Sequence, residues 1–111
     1  MIVVSNTSPL TSLAAIGQFD LLHRLYGRVH IPEGVWLELN AEGRRWPGCD
    51  EVAAAHRSER QTVQNGSLVT VLRRDLDRGE AEAIALALEL QAGLVLLDER
   101  EGRRAAERLG L

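Results

Sequence analysis

The sequence predicts an α/β fold in which a mainly parallel sheet is covered by helices on both faces. Two short apolar runs, residues 2–5 and 94–97, each end on a polar residue, Asn6 and Asp98. Runs of this length that are rich in Val, Ile and Leu suit parallel strands buried on both faces. Strand-like and helix-like segments alternate between them, which is typical of α/β domains. Ligands of open parallel sheets bind at the carboxyl ends of the strands, so Asn6 and Asp98 are candidate site residues.

Each element of the first segment has a local signal. After the strand at 2–5, Ser8 is expected to cap a first helix that has Pro9 at its first position. Gly17 is expected to end this helix, because glycine readily adopts the left-handed conformation found there. A Leu-rich segment predicts a second short helix that ends at Gly27.

The middle of the chain predicts one more strand and two more helices. Residues 29–31 have the pattern of a second strand, and Pro32 opens a third helix that carries Glu38. Residues 40–50 contain Gly and Pro in a pattern typical of a surface loop. An Ala-rich segment then predicts a helix over residues 51–64.

The last segment predicts two strands and two helices. Asn-Gly at 65–66 is a turn signal, and residues 68–72 have the apolar pattern of a third strand. A helix is expected over residues 77–91, closed by a following glycine, and the fourth strand follows at 94–97. A final helix is expected over 103–109.

Composition limits the class of protein. A chain of 111 residues predicts one domain, and 45% hydrophobic with only 4% aromatic residues predicts an aliphatic core. The formal net charge of −3 argues against strong non-specific nucleic-acid binding. All 13 basic residues are arginines, which suit bidentate phosphate contacts, although most such side chains in proteins are simply solvated.

The cellular setting is expected to be cytoplasmic. Cys49 is the single cysteine, so no internal disulfide can form. The chain shows no basic leader segment and no apolar run of membrane-spanning length, so neither a signal peptide nor a membrane span is expected. The three histidines share no ligand spacing, and Ser5 and Ser8 lack an evident histidine base.

Four segments come in one order along the chain: V-V-S-N-T-S-P-L at 3–10, I-P-E-G-V-W-L-E-L at 31–39, R-G-E-A-E-A-I-A-L-A at 78–87 and L-V-L-L-D-E-R-E-G-R-R-A-A at 94–106. Together they resemble small PIN-domain proteins akin to VapC-type toxins. The resemblance implies a three-layer α/β/α sandwich and a ribonuclease that uses Mg²⁺ or Mn²⁺. It also implies a toxin–antitoxin setting, with RNA as substrate and an antitoxin protein as partner.

The family's four acidic positions fall on Asn6, Glu38, Glu80 and Asp98. This resemblance implies that they hold the metal ion and take part in catalysis, and their oxygen donors are the kind that Mg²⁺ and Mn²⁺ take. A hydroxyl that supports the first acidic position matches Ser8 or, as the weaker match, Thr7. The basic cluster after the fourth strand is a candidate for binding an RNA phosphate: Arg100, Arg103 and Arg104.

Each site residue also has an ordinary structural interpretation. Asp98 has the residue type of a helix N-cap. Asp77-x-x-Glu80 has the spacing of a capping box. Glu82 competes with Glu80 for the ligand role, but it points about 200° away around the helix, so both cannot face one metal ion. Glu38 lies three residues after Val35, beside the apolar face, which favours a site. Asn6 could instead hold the turn after the first strand.

The sequence departs from the family pattern in two ways. Asn6 keeps an oxygen donor but loses a negative charge. The family continues into a fifth strand and a closing helix, so residues 1–111 are expected to form a single PIN-like domain that is incomplete at its C-terminus. The strand at 94–97 would then be an exposed apolar edge, which predicts self-association as a homodimer.

Two function classes follow from these observations. The first is a metal-dependent ribonuclease, and the second is a degenerate PIN-like protein that binds RNA or a protein partner without cleavage. A receiver-like or phosphatase-like domain fits poorly, because such sites usually need an Asp pair after the first strand, where this chain has Asn6. Binding of Mn²⁺ separates the first two classes.

Overall fold

The computed structural model of this protein describes residues 2–39, 58–97, 104 and 107–110. The described part contains four strands: β1 (Val3–Ser5), β2 (Val29–Pro32), β3 (Ser58–Gln61) and β4 (Leu94–Leu96). It also contains five helices: α1 (Thr7–Ala15), α2 (Phe19–Tyr26), α3 (Glu33–Leu39), α4 (Gly66–Leu72) and α5 (Arg78–Leu90). None of these helices is long and apolar enough to cross a membrane.

The four strands form one all-parallel sheet in the order β3–β2–β1–β4. Val3 in β1 lies opposite Val29 in β2 on one side and Leu94 in β4 on the other. The predicted α/β fold is therefore confirmed, and its described strands are all parallel. The carboxyl ends of β1 and β4 lie side by side, which places Asn6 at the edge of the sheet where ligands are expected.

Apolar side chains pack against both faces of the sheet. Neighbouring residues of a strand point to opposite faces, so Val3 and Val4 lie on different faces of the sheet. Val29 is the register partner of Val3 and therefore shares its face. The cluster around Val4 takes most of its residues from α5: Ala81, Ala83, Ile84, Leu86 and Ala87. The other cluster packs Val29 and Ile31 against residues of the first three helices: Leu10, Leu22 and Val35. Helices thus cover both faces, as expected for a three-layer arrangement.

The third strand was predicted in the wrong place. Residues 68–72 belong to helix α4, and the strand is Ser58–Gln61, at the end of the predicted helix over 51–64. Within the described sheet β3 pairs only with β2, so an edge strand with the polar sequence S-E-R-Q suffices there. The apolar residues Val69 and Leu72 pack from α4 onto the cluster around Val4. Residues 51–57 lie outside the described part.

Other helix ends agree with the sequence or differ by a residue or two. Gly17 and Gly27 follow α1 and α2 with positive φ angles of 72° and 75°, which confirms the predicted stops. Helix α1 begins at Thr7, so Ser8 lies inside the helix and the prediction that it is the N-cap was wrong. Helix α5 is closed by Gln91 in the left-handed region, two residues before the predicted glycine. Arg104 and residues 107–108 are helical, within the predicted last helix.

Candidate metal centre

Asn6 lies at the point where the carboxyl ends of β1 and β4 meet. Its backbone N–H donates to the carbonyl oxygen of Leu96 at 3.0 Å, which ties the end of β1 to β4. The residue is only 3% exposed. The amide side chain is therefore held at the edge of the sheet where ligands of open parallel sheets are expected.

Glu38 reaches the same edge from helix α3, which follows β2 directly. Its Oε2 accepts a hydrogen bond of 2.9 Å from the buried hydroxyl of Thr7, the first residue of α1. Two residues that are 31 positions apart in sequence are thus brought into contact. Of the two hydroxyls matched to the supporting role, that of Thr7, the weaker match, makes this hydrogen bond. It binds the second acidic position, whereas the resemblance implied the first. The side chain of Ser8 is outside the described part.

The side chains of Asn6 and Glu38 both pack against Gly79, which lies in the first turn of α5. A Cβ atom placed on this buried glycine would be 3.0 Å from Asn6 Oδ1 and 3.4 Å from Glu38 Oε2. An amide oxygen and a carboxylate oxygen therefore flank one point in space. The sequence reasoning missed this residue. Its signal was a glycine inside a predicted helix, where it costs about 1 kcal/mol relative to alanine and usually has a packing reason.

Glu80 lies next to Gly79 in sequence and is 5% exposed. The Glu80 N–H donates to Asp77 Oδ1 at 2.8 Å, and the Asp77 N–H donates to Glu80 Oε1 at 3.3 Å. The capping box that its spacing predicted is confirmed. This cap engages Oε1, and the other carboxylate oxygen, Oε2, is buried as well. The ligand role of Glu80 stays a prediction.

Glu82, the alternative to Glu80 as a metal ligand, binds protein groups. It is 7% exposed, and its Oε1 accepts the N–H of Gly34 at 2.8 Å. Its Oε2 accepts a charge-assisted hydrogen bond from Nε of Arg78 at 2.5 Å. Both carboxylate oxygens bind protein groups, so Glu82 joins the start of α3 to α5.

Asp98, the fourth predicted ligand, lies outside the described residues, as do Arg100 and Arg103. Strand β4 ends at Leu96, beside Asn6, and the buried Leu97 is the last described residue before Asp98. Among the described residues there is no group of three or more His, Cys, Asp or Glu side chains that could hold a metal ion.

Arg104, the described member of the predicted phosphate-binding cluster, is exposed and lines a groove of about 570 Å³. The groove is also lined by residues of α4 and its surroundings: Leu68, Val71, Leu72, Asp75, Leu76, Arg108 and Leu109. Asn6, Glu38 and Glu80 do not line it. This groove therefore does not join Arg104 to the described candidate ligands, and contact of Arg104 with a phosphate stays a prediction.

The fold and the site define an α/β domain whose oxygen donors meet at the carboxyl ends of a parallel sheet. The model of a PIN-domain family matches residues 2–111. The chain therefore belongs to the PIN-domain family, whose fold is of the nuclease type. No match was found among curated proteins or among solved structures.

Proposed function

We propose that this protein is an endoribonuclease of the toxin–antitoxin type that uses Mg²⁺ or Mn²⁺ to hydrolyse RNA phosphodiester bonds. One observation carries the proposal: in a PIN-family chain, Asn6 Oδ1 and Glu38 Oε2 flank one point beside Gly79. Both are hard oxygen donors of the kind that Mg²⁺ and Mn²⁺ take. The donor set present therefore fits such an ion.

Four residues are proposed to hold the ion: Asn6, Glu38, Glu80 and Asp98. A bound divalent ion of this kind supplies a water molecule of lowered pKa, which is the nucleophile that phosphodiester hydrolysis needs. The hydroxyl of Thr7 fixes the orientation of the Glu38 carboxylate through its hydrogen bond. Groups of this kind, which orient a ligand without touching the ion, tune its affinity in many metalloproteins.

Asn6 makes a weak site, because a hard cation is held largely by charge and the amide is neutral. We expect Asn6→Asp to tighten Mn²⁺ binding and to raise any rate of RNA cleavage. The matched control is Asn65→Asp, since Asn65 is exposed and its side chain caps α4 by accepting the Leu68 N–H at 3.1 Å. Isothermal titration with Mn²⁺ should show tighter binding for the first variant and an unchanged isotherm for the second. An unchanged isotherm for Asn6→Asp would show that residue 6 does not bind the ion.

The second candidate is a non-catalytic PIN-like protein that binds RNA or a protein partner. The neutral Asn6 in place of the first acid is the observation that favours it. A fluorophore-quencher RNA of mixed sequence separates the two candidates. A nuclease cleaves it with Mn²⁺, and Glu38→Gln or removal of the metal by EDTA abolishes cleavage. Binding of this RNA without cleavage, in wild type and in Asn6→Asp alike, supports the non-catalytic protein.

The resemblance to VapC-type toxins supports two further parts of this proposal: the substrate is RNA and not DNA, and the partner is an antitoxin protein. Parallel assays with RNA and DNA of the same sequence test the first. Growth arrest on expression, relieved in Glu38→Gln, tests the toxin role. The predicted homodimer stays a prediction, which light scattering after gel filtration can check.

A further inference from the structure

Helices α3 and α5 contact each other through two reciprocal pairs, each made of a glycine on one helix and a glutamate on the other. Gly34 of α3 lies against Glu82 of α5, and Gly79 of α5 lies against Glu38 of α3. The second pair contains the candidate ligand, and the first does not.

The glycines are what allow this close approach. A Cβ atom on Gly34 would be 3.0 Å from Glu82 Oε2 and 3.1 Å from Cγ of Arg78, as tight as the contacts of Gly79 with Asn6 and Glu38. A side chain at either glycine would therefore force the neighbouring side chains to shift by a few tenths of an ångström. Both glycines are buried.

Glu82 binds the first turn of α3, whereas the candidate ligand Glu38 lies in the last turn of the same helix. Its hydrogen bond of 2.8 Å to the Gly34 N–H satisfies a backbone donor in the first turn of α3, which has no partner within the helix. The carboxylate also lies favourably at the positive end of the helix dipole. Arg78, one turn before Glu82 on α5, holds the second oxygen.

Helix α3 connects the two pairs, because it carries both Gly34 and Glu38. Glu38 follows Gly34 by four residues, which is about one turn, or 6 Å along the helix axis. In a helix of seven residues, the position of the first turn fixes the position of the last. The contact that Glu82 makes with Gly34 therefore also sets where the Glu38 carboxylate lies relative to Asn6.

We propose that Glu82 is a positioning residue: by holding Gly34 it fixes α3 against α5 so that Glu38 lies beside Asn6 and Gly79. Its effect on metal binding rests on the function proposed above, whereas its effect on the position of Glu38 does not. Glu82 is thus a carboxylate that shapes the candidate metal centre without binding the ion.

The first test is made on the metal-free protein. The methyl NMR resonance of Thr7 reports on the hydrogen bond between Thr7 and Glu38, and Glu38→Gln shows how far it moves when that bond is altered. We expect Glu82→Leu to shift this resonance and Glu82→Gln to keep it, because the amide oxygen can still accept the Gly34 N–H. Gly34→Ala perturbs the same contact from α3 and should also shift it.

The matched control is Glu89→Leu. Glu89 is another glutamate of α5 that accepts backbone N–H groups, those of Gln64 and Asn65 at 2.8 and 2.6 Å, but it lies on the exposed surface. We expect its removal to lower stability without moving the Thr7 resonance. A Thr7 resonance that stays in place in both Glu82→Leu and Gly34→Ala would overturn the proposal.

The second test is Mn²⁺ affinity. We expect Glu82→Leu to weaken binding about tenfold, as is typical when a group that orients a ligand is lost, and Glu82→Gln to stay close to wild type. Glu89→Leu should leave the affinity unchanged. Equal affinities for Glu82→Leu and Glu89→Leu would contradict a positioning role. If the wild type does not bind Mn²⁺, the proposed function fails, and the Thr7 resonance still decides whether Glu82 positions Glu38.

Discussion

Replacing Gly79 by alanine tests whether this glycine is required for the approach of Asn6 and Glu38. An alanine in place of a glycine inside a helix normally stabilises it by about 1 kcal/mol, because glycine loses more backbone entropy on folding. At this position the new methyl group would lie 3.0 Å from Asn6 Oδ1 and 3.4 Å from both Glu38 Oε2 and Val35 Cγ2. The helix gain and the steric cost therefore oppose each other.

The steric cost is expected to win. Asn6 is buried at 3% exposure, and its backbone is bonded to β4, so it has little room to move away. Insertion of a methyl group into a packed site costs about 1–3 kcal/mol. Against a helix gain of about 1 kcal/mol, we expect Gly79→Ala to lower the free energy of unfolding by about 1 kcal/mol.

Gly66→Ala is the matched control for this substitution. Gly66 also lies in the first turn of a helix, but a Cβ atom there would meet nothing within 4 Å. We expect this variant to be more stable than wild type by about 0.4–1 kcal/mol, mainly because alanine restricts the unfolded chain.

Urea unfolding followed by circular dichroism gives both free energies, and a Mn²⁺ titration gives the consequence for the site. The two variants should change stability in opposite directions, and only Gly79→Ala should weaken Mn²⁺ binding. If Gly79→Ala stabilises the protein as much as Gly66→Ala does, the reasoning about close packing is refuted.

Two further predictions concern the hydrogen bonds around the site. Thr7→Val removes the hydrogen-bond donor to Glu38 and should lower the free energy of unfolding in urea by about 1 kcal/mol. Thr7→Ser keeps the hydroxyl and should retain most of that stability. An equal loss in both variants would show that the hydroxyl does not contribute. Asp77→Ala removes the side-chain acceptor of the capping box with Glu80 and should cost about 1 kcal/mol, while the exposed Asp75→Ala should stay within about 0.5 kcal/mol of wild type. Equal effects at 75 and 77 would count against the cap.

The sequence alone determined the parts of the fold that depend on local pattern. Strands β1 and β4 were predictable because each is a short run of aliphatic residues, and burial of such runs is favourable in almost any context. The stops of α1 and α2 were predictable from Gly17 and Gly27, because a left-handed residue is needed there. The cap of α5 was predictable for the same kind of reason, since Asp77 and Glu80 bond within one turn.

Only the tertiary structure decided what depends on a distant partner. The strand β3 is held by backbone pairing with β2. Its own sequence, S-E-R-Q, has no hydrophobic pattern from which a strand could be predicted. The roles of Thr7 and Gly79 come from contacts with Glu38, which lies 31 and 41 positions away. Glu82 is the clearest case: its residue type and helix position allowed a ligand role, and only the placement of Gly34 against it shows that it fastens two helices. Local spacing fixes which way a side chain points on its own helix, but the group that it meets there is set by packing.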